Sequence, residues 1–156
     1  MMLVNPYALA TVGGGGGGAA ARYWRIVNVV VAGGYLEMTE FQMFNGAINL
    51  NSSATVTSSS APSFGALADV VDGSASTRVY WTDTVAENPA FFIRWDFGSA
   101  TLVDGFKMAG ENESSRFPSA LTIESSPDGS TWTTIRTITG AAWPGGSTLS
   151  SLYSLP

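Results

Sequence analysis

Asp72-Gly73-Ser74-Ala75-Ser76-Thr77 is the first of three short motifs that follow one another along the second half of the chain. The second is Trp95-Asp96-Phe97-Gly98, and the third is Ser125-Ser126-Pro127-Asp128-Gly129-Ser130-Thr131-Trp132. Each motif joins residues that favour a turn to an aromatic side chain able to anchor a strand in a core, and Trp81 is the aromatic partner of the first. The ordered set predicts short strands connected by tight turns.

The segments around these motifs are typical of an all-β protein. β-branched and aromatic residues dominate segments 22–31, 90–97 and 132–138, and turn residues recur about every 8–12 positions. This spacing predicts an antiparallel β-sandwich. Three tryptophans that fall in predicted strands are interpreted as anchors of its core: Trp24, Trp95 and Trp132.

Three segments are less regular. Segment 35–44 predicts one strand with a bulge or a bend, and segment 45–63 predicts a long polar loop or a weak edge strand. Segment 64–71 is compatible with either a helical turn or an extended stretch. Because no stretch shows the 3.6-residue period of an amphipathic helix, we expect no substantial helix.

The composition excludes several classes of function. The 156 residues include no cysteine and no histidine, which removes disulfides, thiolate zinc sites and the commonest general base. The formal net charge is −5 with only seven Lys and Arg residues, which argues against a nucleic-acid partner. The glycines of 13–18 lack the Lys-Ser/Thr that completes a phosphate-binding loop, and the longest apolar run is too short to span a membrane. We therefore expect a non-enzymatic protein without membrane insertion.

The chain divides into three parts. Residues 1–12 form a weakly polar arm, residues 13–21 a flexible linker rich in Gly and Ala, and residues 22–156 the β-sandwich. The arm is either a disordered tail or a segment that docks on another protein while the glycines give it reach. Under the second interpretation the docking residues are apolar: Leu3, Val4, Tyr7 and Leu9.

The three motifs in this order resemble the discoidin-like domain, also called the coagulation-factor type C or galactose-binding-like domain. The matching residues are Asp72-Gly73 with Thr77, Trp95-Asp96-Phe97-Gly98, and the hairpin between Ile123 and Trp132. Trp81 departs slightly from the pattern because it follows Thr77 at a longer interval than is usual in the family. The resemblance covers about residues 64–138 and implies a jelly-roll β-sandwich used for binding.

Two further segments match the family's last strands but precede its first motif. They are Arg22-Tyr23-Trp24-Arg25-Ile26 and Thr39-Glu40-Phe41-Gln42-Met43. The simplest account is a permuted strand order, in which N-terminal strands occupy the places of the family's C-terminal ones. We therefore expect a discoidin-like jelly-roll β-sandwich with permuted strand order, preceded by an extended N-terminal arm. This arrangement resembles modules of tailed-bacteriophage virion proteins.

The resemblance also implies a structural calcium ion. Many family members hold calcium between the Asp-Gly loop and an acidic residue on the last strand, and calcium prefers several hard oxygen ligands. Carried over to this chain, the ligands are Asp72, Thr77 and Glu40. The alternative is that Asp72 only caps its own turn.

Aromatic and charged residues near predicted loops are the candidates for ligand binding. Tyr80, Trp81 and Trp143 are candidates for stacking on a sugar ring, with packing against a neighbouring subunit as the alternative. Arg116 and Glu111 are candidates for hydrogen bonds to sugar hydroxyls. The alternative for Arg116 is a surface ion pair with a nearby glutamate.

These inferences predict a bacteriophage virion protein of the tail, tail tip or fibre that acts in host-surface carbohydrate attachment or virion decoration. It would be present in several copies, assembled in the host cytoplasm, and it would contact other virion proteins through the arm. One alternative is a purely structural virion adaptor that makes only protein contacts. Another is a carbohydrate-binding accessory module, for which a catalytic domain would be expected in the same chain.

Overall fold

The first strand, β1 (Ala20–Val30), carries the alternation that organises the fold. Trp24 and Ile26 are fully buried on one face, whereas Arg25 on the opposite face is partly exposed. In the computed structural model, which describes residues 20–110 and 113–156, β1 lies at the centre of a five-stranded antiparallel sheet. One buried face and one partly exposed face indicate an outer layer of a sandwich.

Short strands and single helical turns account for the rest of the described chain. The further strands are β2 (Tyr35–Met38), β3 (Glu40–Asn45), β4 (Ile48–Asn49), β5 (Thr55–Ser58), β6 (Val79–Thr82), β7 (Ile93–Leu102), β8 (Gly105–Ala109), β9 (Ala120–Ser126), β10 (Thr133–Thr139) and β11 (Tyr153–Ser154). The helical turns are α1 (Asp83–Ala86) and the 3₁₀ turns Asn51–Ser53, Leu67–Val70 and Ser114–Arg116. Neither described range contains a helix long and apolar enough to cross a lipid bilayer.

The strands form two main sheets and one short ribbon. The five-stranded sheet has the order β10-β9-β1-β7-β5, the four-stranded sheet has the order β11-β8-β3-β4, and β2 pairs with β6. Every one of these pairings is antiparallel. The predicted all-β sandwich is therefore confirmed.

The core lies between the two main sheets. Trp24 and Trp95 of the five-stranded sheet, and Phe41 and Phe106 of the four-stranded sheet, are at most 1% exposed. The Phe41 ring centre lies 4.9 Å from that of Trp95 and 5.0 Å from that of Phe106, so aromatic rings of both sheets are in contact. Because such side chains bury the largest apolar areas, they dominate the packing energy.

The two strands that precede the Asp-Gly motif occupy interior positions. β1 lies between β9 and β7, and β3 pairs along its length with β8. Each sheet thus takes one interior strand from the N-terminal part of the described chain. Interior positions for these two strands are compatible with the permuted strand order, which stays a prediction.

Several boundaries differ from the sequence prediction. Ala20 and Ala21 belong to β1 rather than to the linker, since they pair with Leu102 and Thr101. The single strand expected over 35–44 is two strands in different sheets, because the chain changes partner at Thr39, whose N–H donates to the Ala109 carbonyl at 3.0 Å.

The structure shows the conformation of the two segments for which the sequence left alternatives open. Segment 64–71 contains the 3₁₀ turn Leu67–Val70, and segment 45–63 contributes the edge strand β5. α1 was not anticipated, because a single helical turn is too short to show a period. The arm 1–12, with its docking residues, and linker residues 13–19 lie outside the described residues.

Trp132 is not a core anchor, so that prediction was wrong. It is only partly buried, and the guanidinium of Arg25 lies 3.9 Å from its ring centre. Arg25 in turn pairs with Glu124 at 2.7 Å on the same outer face of the five-stranded sheet. Trp132 immediately precedes β10, where alternation turns its side chain to the outer face.

Candidate functional site

Two of the predicted ligand residues, Tyr80 and Trp81, are neighbours on β6 in the β2–β6 ribbon. Along β6, Val79 and Trp81 are fully buried, while Tyr80 between them is only partly covered. Neighbouring residues of a strand face opposite sides, so Tyr80 and Trp81 cannot share a surface. The Trp81 indole N–H donates to the Ser60 carbonyl at 2.9 Å, and its ring packs on Phe91. Trp81 is a core residue, and the prediction that it stacks on a sugar was wrong.

Tyr80 belongs to a row of three aromatic side chains, Phe64, Tyr80 and Tyr35, which we call the aromatic row. The rings of Phe64 and Tyr80 are nearly parallel with centres 5.0 Å apart, and those of Tyr80 and Tyr35 meet edge to face at 5.1 Å. Phe64 is 47% exposed and Tyr35 is 38% exposed. Contiguous exposed aromatic surface is uncommon on a monomer, so the aromatic row is a candidate contact surface.

An arginine lies at each end of the aromatic row. The guanidinium carbon of Arg78 is 5.4 Å from the ring centre of Phe64, and that of Arg116 is 5.3 Å from the ring centre of Tyr35. Arg116 also pairs with Glu113 at 2.8 Å and with the buried Glu37 at 3.6 Å. The ion pair considered for Arg116 is therefore present, and it holds the guanidinium beside the aromatic row.

The backbone explains why Phe64 meets Tyr80 although the two lie on different segments. Phe64 forms an isolated antiparallel bridge with Tyr80, with N–O distances of 3.3 and 3.1 Å. The next residue, Gly65, has φ of +74°, and a Cβ there would lie 2.2 Å from the Arg78 carbonyl oxygen. Only glycine permits this approach, so Gly65 is a structural determinant of the aromatic row.

A small cavity opens among the loops that support the aromatic row. Its volume is about 190 Å³, and Ser59, Ser60, Thr84 and Asn88 line it together with Phe91. Hydroxyl and amide groups around an aromatic ring are typical of sites that bind polar ligands. The cavity adds hydrogen-bonding groups on the segments that precede Phe64 and follow β6.

The remaining predicted ligand residues do not join this surface. The Trp143 indole N–H donates to the Gly110 carbonyl at 3.1 Å, and the half-buried ring packs against the core. Trp143 secures its loop, so a stacking role does not fit its position. Glu111 lies outside the described residues.

Tyr80 and Arg116, which the sequence offered as ligand residues, are both part of this surface, whereas three of their neighbours were not predicted: Tyr35, Phe64 and Arg78. Tyr35 directly follows the Gly33-Gly34 turn, where an aromatic at a strand start was a usable signal. The segment that holds Phe64 carried no such signal, because its pairing with β6 is a tertiary contact.

The candidate calcium ligands meet on the Asp-Gly loop. Glu40 begins β3, and its Oε1 accepts a hydrogen bond of 2.5 Å from the Gly73 N–H, which the φ of +83° at Gly73 directs toward it. Its buried Oε2 has no hydrogen-bond partner within the described ranges. Burial raises the pKa of Glu40 to about 6, and the nearby charge of Asp72 adds to the shift.

Asp72 caps its own turn, as the alternative interpretation held. Its Oδ1 accepts from the Ser74 N–H at 2.7 Å, and its Oδ2 accepts from the Thr77 hydroxyl at 2.6 Å. Residues 20–110 and 113–156 contain no group of three His, Cys, Asp or Glu that forms a metal site by itself. Calcium would need loop oxygens besides the two carboxylates, and the unpartnered Oε2 of Glu40 fits such an ion.

An antiparallel β-sandwich with an exposed aromatic surface at one end has the architecture of a binding module. Residues 53–153 match the F5/8 type C domain, and the chain belongs to this family of discoidin-like domains. Domains of the family bind carbohydrate or protein and are generally non-enzymatic. The match begins after β4, so the N-terminal strands lie outside it. No similar curated protein and no similar solved structure was found.

Proposed function

We propose that this protein binds host-surface carbohydrate through the aromatic row, as a bacteriophage virion component of the tail, tail tip or fibre. The observation that carries the binding role is the exposed row of Phe64, Tyr80 and Tyr35 between two arginines. A sugar ring has an apolar C–H face that loses contact with water when it stacks on an aromatic ring. Its hydroxyls then accept hydrogen bonds from neighbouring donors.

The parts of the surface have distinct roles. Phe64 and Tyr80 stack on each other, so a sugar can contact only the ring faces and edges that remain exposed, and Arg78 and Arg116 supply charged donors at the ends of the row. The pre-formed Arg116–Glu37 pair reduces the entropy lost when Arg116 is held against a ligand. Binding at one copy is expected to be weak, and several copies in one particle would raise the avidity.

Replacing Phe64 by alanine is expected to weaken glycan binding by about tenfold or more, since a buried aromatic contact is typically a large part of a small interface. The measurement is binding to a glycan array and to intact candidate host cells, with calcium present. Ile48→Ala is the matched control, because Ile48 is 65% exposed on β4 of the four-stranded sheet, away from the β2–β6 ribbon.

Two outcomes would contradict this role. Equal binding by Phe64→Ala and Ile48→Ala would remove the aromatic row as the sugar site. A folded wild-type protein that binds no glycan and no cell would favour the adaptor, in which the same surface contacts a virion protein.

The virion assignment rests on the permuted family pattern and on the low charge of the chain, 12%, which suits a surface covered by partners. The arm docks on another virion protein through Leu3, Val4, Tyr7 and Leu9 in this proposal. Mass spectrometry of purified phage particles tests the location, and absence of the protein from the particles would refute it. Deleting residues 1–18 tests the arm, whose role fails if assembly is unchanged.

The proposal includes a structural calcium ion at the Asp-Gly loop. Glu40 and Asp72 would supply carboxylate oxygens, and Thr77 with the loop carbonyls would supply neutral ones. Bound calcium would provide the positive charge that the buried Glu40 carboxylate lacks. The ion would thereby join β3 to the loop that leads into β6.

A further inference from the structure

The outer face of the five-stranded sheet carries a row of polar residues in register across all five strands. Thr134 of β10 lies opposite Glu124 of β9, which lies opposite Arg25 of β1, and Arg25 lies opposite Arg94 of β7, which lies opposite Thr57 of β5. We call these residues the outer-face row: Thr134, Glu124, Arg25, Arg94 and Thr57. It lies on a different surface from the aromatic row.

The charges of the outer-face row do not balance. Arg25 pairs with Glu124 at 2.7 Å, whereas Arg94 forms no ion pair with any residue of the described ranges. The next carboxylate on this face, Asp96, attracts Arg94 at longer range but forms its two hydrogen bonds, of 2.8 and 2.9 Å, with Arg22, so this face carries three arginines against two carboxylates. Like charges directly opposite each other on a sheet are destabilising. One positive charge on this face therefore lacks a neutralising partner.

Polar atoms beside that charge also lack partners. The Nε of Arg94 and the Oγ1 of its cross-strand neighbour Thr57 are buried and form no hydrogen bond with a described residue. The Arg94 guanidinium carbon lies 5.7 Å from the ring centres of both Tyr23 and Phe92, so aromatic rings flank it on two sides. Arg94 as a whole is partly exposed, which leaves it accessible from solvent.

A cleft adjoins the outer-face row between β1 and the residues that directly precede β7. Its volume is about 300 Å³, and its lining includes Arg25, Glu124, Asn28 and Phe92. Asn28 has φ of +50° at a break in the β1–β9 register between Val27 and Val30. Bulges often re-aim side chains next to active sites, and Asn28 is one of the residues that line the cleft here.

We propose that this face binds an acidic saccharide, with the sugar carboxylate on Arg94 and the ring in the cleft beside Phe92. A carboxylate would neutralise the unpaired guanidinium through charge-assisted hydrogen bonds. The Arg25–Glu124 pair and Asn28 offer donors and acceptors side by side, as sugar hydroxyls require. A single unpaired cation engages one carboxylate of such a saccharide at a time. The site shares with the proposed function only the class of ligand, since none of its residues belongs to the aromatic row.

The test is an NMR titration of the whole protein with trigalacturonate, using galactotriose as the neutral counterpart, and with sialyllactose, using lactose. The acidic probes are expected to shift the amide signals of Asn28 and Phe92, and the neutral ones to do so much more weakly. Arg94→Gln is expected to weaken trigalacturonate binding by about tenfold or more, because a charge-assisted hydrogen bond is lost. Lys107→Gln removes the same charge from β8 in the other sheet and should leave the affinity unchanged.

Arg94→Gln relieves the Arg25–Arg94 repulsion but also loses the contacts with Tyr23 and Phe92 and the attraction to Asp96, so a melting curve and the NMR spectrum of the variant establish that lost binding does not reflect unfolding. The proposal is overturned if neither acidic probe binds, or if Arg94→Gln and Lys107→Gln behave alike. Binding of a hexaglutamate peptide in place of both acidic sugars would overturn it in favour of a protein partner. Loss of binding in Phe64→Ala alone would place the acidic sugar on the aromatic row instead.

Discussion

Replacing Trp95 by alanine is expected to lower the free energy of unfolding by about 3–5 kcal/mol, the usual cost of removing a large aromatic side chain from a core. Trp95 is fully buried, and its ring lies 4.9 Å from that of Phe41 in the opposite sheet. The substitution therefore removes contacts that join the two layers and leaves a cavity between them. Urea denaturation monitored by circular dichroism measures the loss.

Trp132→Ala is the matched control for this prediction. Trp132 contacts Arg25 on the outer face, and such a cation–π contact at a partly exposed site contributes about 0.5–1 kcal/mol. The two tryptophans occupy comparable sequence motifs, so the comparison separates burial from motif. Equal losses in both variants would mean that Trp132 belongs to the core after all. If Trp95→Ala does not fold, Trp95→Phe is expected to fold with a smaller loss.

Without calcium, the free energy of unfolding is expected to fall by about 2 kcal/mol as the pH rises from 4.5 to above 6. Burial raises the pKa of Glu40 from 4.5 to about 6 in the folded protein, so the folded state binds more protons than the unfolded state in this window. The stabilising contribution of protonated Glu40 is complete below pH 4.5 and is lost as the carboxyl ionises. Melting curves in chelator between pH 4.5 and 7.5 measure it.

Calcium is expected to reverse this dependence. At about 100 times its dissociation constant, an ion bound only by the folded state adds about 2.7 kcal/mol, and it should add less near pH 5, where protons compete for Glu40. Glu40→Gln should flatten the pH dependence and abolish the calcium effect. Glu113→Gln, which removes an exposed carboxylate, should retain both.

The calcium site and the burial of Glu40 are tested independently of each other. A melting temperature that saturating calcium leaves unmoved after chelation would remove the calcium site. A metal-free stability that does not fall above pH 4.5 would instead contradict the burial of Glu40. Asp96 affects stability over a lower pH range, because its hydrogen bonds to Arg22 lower its pKa to about 2 in the folded protein. The stability that ionised Asp96 contributes is lost only as the pH falls from 3.8 toward 2.

Much of the fold was predictable because its determinants are local. The β-branched and aromatic residues of segments 22–31 and 90–97 predicted the strands β1 and β7, and Trp24 and Trp95 are core residues as expected. The Ser126-Pro127-Asp128-Gly129 turn forms as its residues require, with Gly129 at φ of +76° and Asp128 accepting from the Ser130 N–H at 2.8 Å. Each of these features depends on neighbours in the chain.

The candidate site was only partly predictable. The contact between Glu40 and the Asp-Gly loop was anticipated through the family resemblance, and it is present as the Glu40–Gly73 hydrogen bond. Tyr80 and Arg116 were identified, but Trp81 and Trp143 were assigned to a surface that they do not occupy. An aromatic residue next to a loop has the same local sequence whether its ring faces water or the core, so the exposure of its side chain was not readable.

The amino-acid sequence by itself determined the all-β class, the positions of the main turns and, through the missing cysteine and histidine, the kinds of chemistry that are excluded. Only the tertiary structure decided which aromatic rings face solvent, that Phe64 joins Tyr80, and that Arg94 forms no close ion pair among the described residues. The physical reason is that turn and strand preferences arise within a few residues, whereas burial and charge pairing depend on strands far apart in the chain. The candidate binding surfaces of this protein are made almost entirely of such distant contacts.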